Sequence, residues 1–285
     1  MPTTEAVANS MCSVKQRRSP ALIAILASFF IAAAIVPVRA ADPEEAHYNA
    51  VVSLYNAGQW KAAIAKIEER EKQTLSDAML ARYLYARGLA LEKGKQSADA
   101  RAAYQKLTEK YAASPEAPRA LLAIVYIDYA AKDYEAVLKG YGRLDASKLQ
   151  AGDRQNLALM RAEALYATKK DKEALAAFDQ AVALGASRAA IAPKLFELYY
   201  RAGRYADLLN VAVTDLPALP RDRVAIVRAE AFMGLNKNAE VLTETDKITA
   251  GSSDYPRASL IKAQVLIKQG KLKDALAPLQ TAVKD

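Results

Sequence analysis

The sequence predicts an all-α fold, an α-solenoid wound from about seven copies of one helix-turn-helix unit. Three observations predict it. Ala, Leu, Lys, Glu and Arg dominate the chain, and these are good helix formers. The 11 Gly are few for an all-β protein, no stretch alternates apolar and polar residues as a strand would, and 52% hydrophobic with 25% charged residues is a globular composition. A small or apolar residue followed four positions later by another apolar or aromatic residue also recurs along the chain: Ala63/Ile67, Ala100/Tyr104, Val137/Tyr141, Ala174/Phe178, Leu208/Ala212, Val241/Thr245 and Ala275/Leu279. The spacings are 37 three times, then 34, 33 and 34, and a fixed period of this length marks stacked supersecondary units.

Residues 1–40 stand outside this pattern. Lys15, Arg17 and Arg18 precede the apolar run 21–36, and "VPVRA" follows with small residues at Val38 and Ala40. This is the layout of a secretory signal peptide, with cleavage expected after Ala40; the alternative is an inner-membrane anchor formed by residues 21–38. Met11 is an alternative start to Met1. Cys12 lies before the apolar core, so the mature domain 41–285 is expected to hold no cysteine, which excludes disulfides and thiol catalysis. An exported, cysteine-free helical protein fits the periplasm of a Gram-negative cell. Without the leader's four Lys/Arg and one Glu, the net charge falls from +8 to +5. That mild excess supports neither nucleic-acid nor membrane binding.

The units lie near 44–80, 81–117, 118–154, 155–188, 189–221, 222–255 and 256–285. In each, a helical pattern (helix A) meets a short break and then a second pattern (helix B). The breaks are 56–59, 92–97, 130–133, 168–171, 201–204, 234–238 and 268–271, several with a glycine able to close a helix in the left-handed conformation. Val51, Gly88, Ala162, Ala229 and Ala263 on helix A are expected to face Ala63, Ala100, Ala174, Val241 and Ala275 on helix B, where the helices cross closely. The 37-residue spacings call for a longer helix B or exit loop in the first units. Pro193 suggests a late start of the fifth helix A, and Pro278 a kinked or weakened seventh helix B.

Gly203, Tyr205 and Leu208; Tyr134, Val137 and Tyr141; Leu165, Ala174, Phe178 and Ala181; and Gly270, Leu272, Ala275, Leu279 and Ala282 follow one pattern of small, apolar and aromatic positions, with loosely placed exit prolines Pro115, Pro217 and Pro220. In these positions the chain resembles the tetratricopeptide repeat (TPR) family, over nearly all of its length beyond the leader. It departs from the pattern at Phe196, Leu208 and Thr245. The resemblance implies a right-handed superhelix with helices A on the concave side, and a protein-binding groove lined by fixed columns of helix A. The fifth column is Tyr48, Tyr85, Leu122, Leu159, Pro193, Ile226 and Leu260. The ninth is Val52, Leu89, Tyr126, Glu163, Glu197, Glu230 and Gln264, and the twelfth is Tyr55, Glu92, Tyr129, Tyr166, Tyr200, Met233 and Ile267. A peptide groove of Tyr48, Tyr85, Tyr126, Tyr129, Tyr166 and Tyr200 with Glu163, Glu197 and Glu230 is therefore expected. Tyrosines supply contact area at low entropy cost, and the glutamates favour a partner segment with basic and apolar residues. The bland alternative is that these tyrosines pack on the neighbouring unit with their hydroxyls in water and that the glutamates form a solvated face. The Lys/Asn/Arg clamp for acidic tails is missing, since the ninth column is acidic.

No catalytic chemistry stands out. His47 is the single histidine, no His/Cys/carboxylate cluster has metal spacing, no glycine-rich phosphate loop occurs, and Ser53 and Ser259 have no base. No cofactor or metal is implied. The expected function is a non-enzymatic scaffold or adaptor in cell-envelope assembly, binding a protein or peptide partner. A second reading is the non-catalytic accessory of a cell-wall or secretion enzyme complex. A third, an RNA-binding helical repeat, is opposed by export and by the acidic column. "RAEA" occurs twice, at 161–164 and 228–231, placing Glu163 and Glu230 in equivalent positions. The last helix carries Leu276, Leu279 and Val283 with nothing following to cover them, so self-association or a partner is expected at that end.

Overall fold

The structure is a computed structural model and describes residues 43–71 and 73–284. The signal peptide, its cleavage point, Cys12 and the alternative anchor lie outside the described residues. Among its described residues the compact unit Ala41–Asp285 has fourteen α-helices in seven consecutive pairs and no strand. The A helices are α1 (Pro43–Asn56), α3 (Asp77–Lys93), α5 (Ala117–Ala130), α7 (Ala151–Ala167), α9 (Arg188–Arg201), α11 (Arg221–Gly234) and α13 (Tyr255–Lys268). The B helices are α2 (Trp60–Glu71), α4 (Ser97–Lys110), α6 (Tyr134–Tyr141), α8 (Asp171–Ala183), α10 (Tyr205–Leu209), α12 (Asn238–Thr245) and α14 (Leu272–Lys284). Each A helix packs on its own B helix, and each B helix from α2 to α12 packs on the next A helix. This is the α-solenoid that the periodicity predicts.

All seven A–B turns close the same way. The middle residue of each three-residue break is left-handed: Gly58, Lys95, Lys132, Lys169, Gly203, Asn236 and Gly270, with φ between 57° and 75°. Its N–H donates to the carbonyl of the twelfth-column residue, as in Lys132 to Tyr129 and Gly203 to Tyr200, and the next N–H reaches one residue further back. This is a Schellman closure, which satisfies carbonyls the helix end leaves open. A left-handed lysine costs on the order of 1–2 kcal/mol against a right-handed one, so units 2 to 4 hold this turn without the residue that fits it best.

The core forms where the period puts small residues. Ala63, Ala100, Ala162, Ala174, Ala229, Val241 and Ala263 have no exposed surface, and Val51 and Ala275 have 1%. At Gly88 the nearest side chain is the ring of Tyr104, and a Cβ there would lie 2.3 Å from Tyr104 Cε1. Close approach at this level is governed by an aromatic plate.

The prolines do less than expected. α9 begins at Arg188, capped by Ser187 Oγ accepting from the Ala190 N–H, so it has no late start, and Pro193 lies inside it. The proline forgoes one backbone bond near the exposed first turns, while Leu195, Phe196, Leu198 and Tyr199 bury the rest of the helix. α14 likewise runs through Pro278 without interruption. The extra length of the early units is spread unevenly: α4 has 14 residues, but α6 has 8 and is followed by a short 3-10 turn, Ala146–Lys148. α10 has only 5 residues, so Ala212 falls beyond it, next to a second 3-10 turn, Val213–Asp215. Asn210, two β-branched valines, Pro217 and Pro220 in this stretch disfavour a longer helix.

Candidate functional site

Four consecutive A helices, α5, α7, α9 and α11, are joined by a repeated side-chain bond. Tyr129 donates to Glu163, Tyr166 to Glu197, and Tyr200 to Glu230 at 2.5 Å. Each rung links the twelfth column of one unit to the ninth column of the next, so the two columns form a ladder from α5 to α11. Each glutamate also meets a cation. Lys194 pairs with Glu163 and Arg257 with Glu230. Arg201 reaches Glu197 at 3.1 Å and Asp171 at 2.9 Å, with its guanidinium 5.1 Å from the Tyr166 ring centre. Arg257 donates in addition to the Tyr200 hydroxyl at 3.3 Å.

Burial and donation to a carboxylate both favour the neutral phenol. The Tyr166 hydroxyl is pushed up to about 12, by burial first and then by Glu197. Tyr129 rises for the same two reasons, and Tyr200 chiefly through its bond to Glu230. All three rings are half-buried. What the ladder offers outward is the edges of three tyrosines and glutamates whose charge is largely met. Glu197 is the exposed one, with its side chain 48% accessible against 19% for Glu163 and 12% for Glu230.

Tyr48, Tyr85 and Tyr126 are not part of the ladder. Tyr48 lies edge-on to Tyr83 at 5.5 Å with the Arg82 guanidinium 4.1 Å from its centre, and Arg82 is held by Glu45. Tyr83 bonds His47 Nδ1 at 2.8 Å, which joins α1 to α3 and accounts for the one histidine. Tyr85 is buried against Tyr104 at 5.8 Å, and burial pushes its hydroxyl up to about 12. Tyr126 approaches Asp153 and Asn156 of α7, and its hydroxyl is buried without a well-aligned hydrogen bond. Between units 2 and 3 the column residues are exchanged, with Glu92 of α3 in the twelfth and Tyr126 of α5 in the ninth. No rung forms, because Glu92 accepts from Tyr104 of its own unit at 2.7 Å.

Sequence reasoning placed the two columns but missed that they bond to each other. The available signal was the recurrence of Tyr and Glu 34, 31 and 30 residues apart. It also missed the arginine of each RAEA. Arg161 reaches Gln180 of its own B helix at 3.2 Å and lies 4.6 Å from the Tyr141 ring centre on the preceding one. Arg228 reaches Glu244 at 3.2 Å and the Leu209 carbonyl at 3.4 Å in the same two directions. In RAEA, then, the arginine ties two B helices, the first alanine of α7 or α11 sits at the crossing, and the glutamate ties the preceding A helix.

No group of three or more His, Cys, Asp and Glu is placed to hold a metal among the described residues, and no helix there is long and apolar enough to cross a membrane. Seven helix pairs of one plan, closed by one turn, define an α-helical repeat protein. Residues 48–118 match the tetratricopeptide repeat family, and the later helix pairs repeat the plan of that stretch. Among curated proteins none matches it. Two solved structures are distantly similar. A tetratricopeptide repeat protein from Parabacteroides merdae has 14% identity and TM-score 0.46, over 85% of this chain and 92% of its own. RapI in its apo form has 13% identity and TM-score 0.39, over 84% of this chain and 63% of its own.

Proposed function

We propose that the chain is a periplasmic interaction scaffold that holds a segment of a partner protein along its A-helix face during cell-envelope assembly. A tetratricopeptide fold supports a protein-interaction scaffold, and the signal-peptide layout of residues 1–40 supports the export and envelope setting. The observation that carries the reading is the Tyr–Glu ladder. It fixes a row of three half-buried tyrosines along three consecutive units, and rigid aromatic surface is what a partner segment binds at low entropy cost. All three glutamates already meet a cation, so the preference for a basic residue in the partner rests on Glu197, the most accessible of them, with apolar residues on either side.

The test is photo-crosslinking in intact cells, with the reactive residue placed at Tyr129, Tyr166 or Tyr200 and, as a control, at exposed Glu240 on α12. The expected result is a discrete partner adduct from the three A-helix positions, with the Tyr200 adduct lost in a Tyr129→Ala/Tyr166→Ala background whose helical content is unchanged. Equal adducts from Glu240, or adducts that survive the double substitution, would remove the groove from the function.

A further inference from the structure

The surface of the chain changes character at its last pair. Among the described residues nine large apolar side chains are exposed, and seven of them lie from Met233 onward. Three are on α14: Leu272 at 64%, Leu276 at 58% and Val283 at 83% exposure. With partly buried Leu279 they are spaced four, three and four residues apart. That puts them on one stripe of the helix, the spacing by which one helix seats another. α14 divides into an apolar and a polar side more sharply than the other helices of eight residues or more. Every earlier B helix lies under the A helix of the next unit. α14 packs on α13, and no further described helix covers its stripe.

Charge identifies what fits there. Residues 255–284 contain six Lys/Arg and one Asp, a net +5, whereas 43–254 contain thirty Lys/Arg and twenty-eight Asp/Glu, a net +2. Arg257 is met by Glu230 and Lys262 by Asp246 at 2.5 Å. Among the described residues, exposed Lys268 meets only the neutral Asn236 side chain, at 2.9 Å. Lys271 and Lys273 are also exposed, and by helical spacing Lys273 borders the stripe.

We propose that α14 docks an acidic amphipathic helix of a partner protein, laid across it as the A helix of an eighth unit would lie. Apolar burial along the stripe supplies affinity, and the lysines set the sign of the partner's charge. A second copy is disfavoured because it would bring one +5 end against another. A membrane surface is disfavoured because α14 has no Trp, Tyr or Phe and carries Asp274 beside Lys273.

The test uses the full chain and a labelled synthetic helix of about 18 residues, with leucines at the heptad a and d positions and glutamate elsewhere, read by fluorescence anisotropy. A counterpart with lysine for every glutamate is the control. The acidic helix is expected to bind, more weakly as salt rises, and the lysine helix not to bind. Leu272→Glu/Leu276→Glu should weaken binding about tenfold or more, and both positions are exposed enough to leave the fold intact. The charge reversal Lys271→Glu/Lys273→Glu should weaken it in the same direction while keeping the stripe. Four results would overturn the proposal: equal binding of the lysine helix, binding indifferent to both variants, a dimer in sedimentation that Leu272→Glu/Leu276→Glu dissolves, or stripe-dependent binding to phosphatidylglycerol vesicles in place of the helix.

Discussion

Units 1 and 2 and units 3 to 6 solve the same problem, holding neighbouring A helices in register, by different physics. In the first region the contacts are aromatic and mostly dry. Tyr83 and Tyr104 are fully buried, Tyr85 nearly so, and Gly88 lets the Tyr104 ring reach the helix backbone. In the second region the contacts are polar bonds between half-buried groups, Tyr129, Tyr166 and Tyr200 against Glu163, Glu197 and Glu230. What changes is the partner the next unit presents: leucine at Leu89, tyrosine at Tyr126, and glutamate only from Glu163 onward. Packing of this density tolerates no added volume, whereas a surface hydrogen bond is worth little when lost. The two regions therefore differ most in how they respond to substitution.

The largest difference is expected at Gly88. Alanine is the better helix former, by roughly 1 kcal/mol, yet here its methyl would meet a buried ring at 2.3 Å, and Tyr104 is also tied to Glu92. Overpacking of this kind costs about 1–3 kcal/mol. Gly88→Ala should therefore lower the melting temperature by several degrees in spite of its helix propensity, as read by circular dichroism. An unchanged or higher value would mean that the aromatic region is not packed as described. The matching change in the ladder, Tyr166→Phe, should move it far less.

How much of this was readable beforehand follows the range of the interaction. The breaks were legible because Gly58, Gly203 and Gly270 mark them and the period repeats them. The left-handed turns at Lys95, Lys132 and Lys169 were not, because a lysine gives no local sign of a backbone set by helix closure. The crossing alanines were legible from the four-residue spacing. The columns were legible too, but not the rungs. A bond from Tyr129 to Glu163 depends on the axial stagger between α5 and α7, which reflects how α6 and the turn at 146–148 fill the space between them. The short α6 and α10 had weak signs in Gly140, Gly142, Pro217 and Pro220. The lysine-rich end was hidden by counting charge over the whole chain.

A double-mutant cycle sharpens the contrast inside the ladder. Glu163 has a 19% accessible side chain, whereas Glu197 is 48% accessible. Solvent competes for the outer bond more than the inner one. Tyr129→Phe combined with Glu163→Gln should show a coupling of about 1 kcal/mol in denaturant unfolding, and Tyr166→Phe with Glu197→Gln about half that or less. If the Tyr166/Glu197 rung proved the stronger, burial would not be what ranks the rungs.

The smallest effect separates the two regions by cause. Tyr85 and Tyr166 are both pushed up to about 12, but Tyr85 by burial in an aromatic cluster and Tyr166 by burial together with donation to Glu197. A phenol raised in the folded state contributes stability that is whole below its ordinary value near 10 and is lost as pH rises through the folded value. Both tyrosines should thus make the chain easier to unfold between pH 10 and 12. Glu197→Gln removes the charged acceptor from one of them only. In a titration of phenolate absorbance, this variant should move one tyrosine back toward 10, the one missing from the same difference in a Tyr166→Phe background, while the tyrosine absent from a Tyr85→Phe titration stays near 12. Were Tyr85 to shift with Glu197→Gln, the aromatic region and the ladder would be one electrostatic unit, and the division drawn between units 1–2 and units 3–6 would not hold.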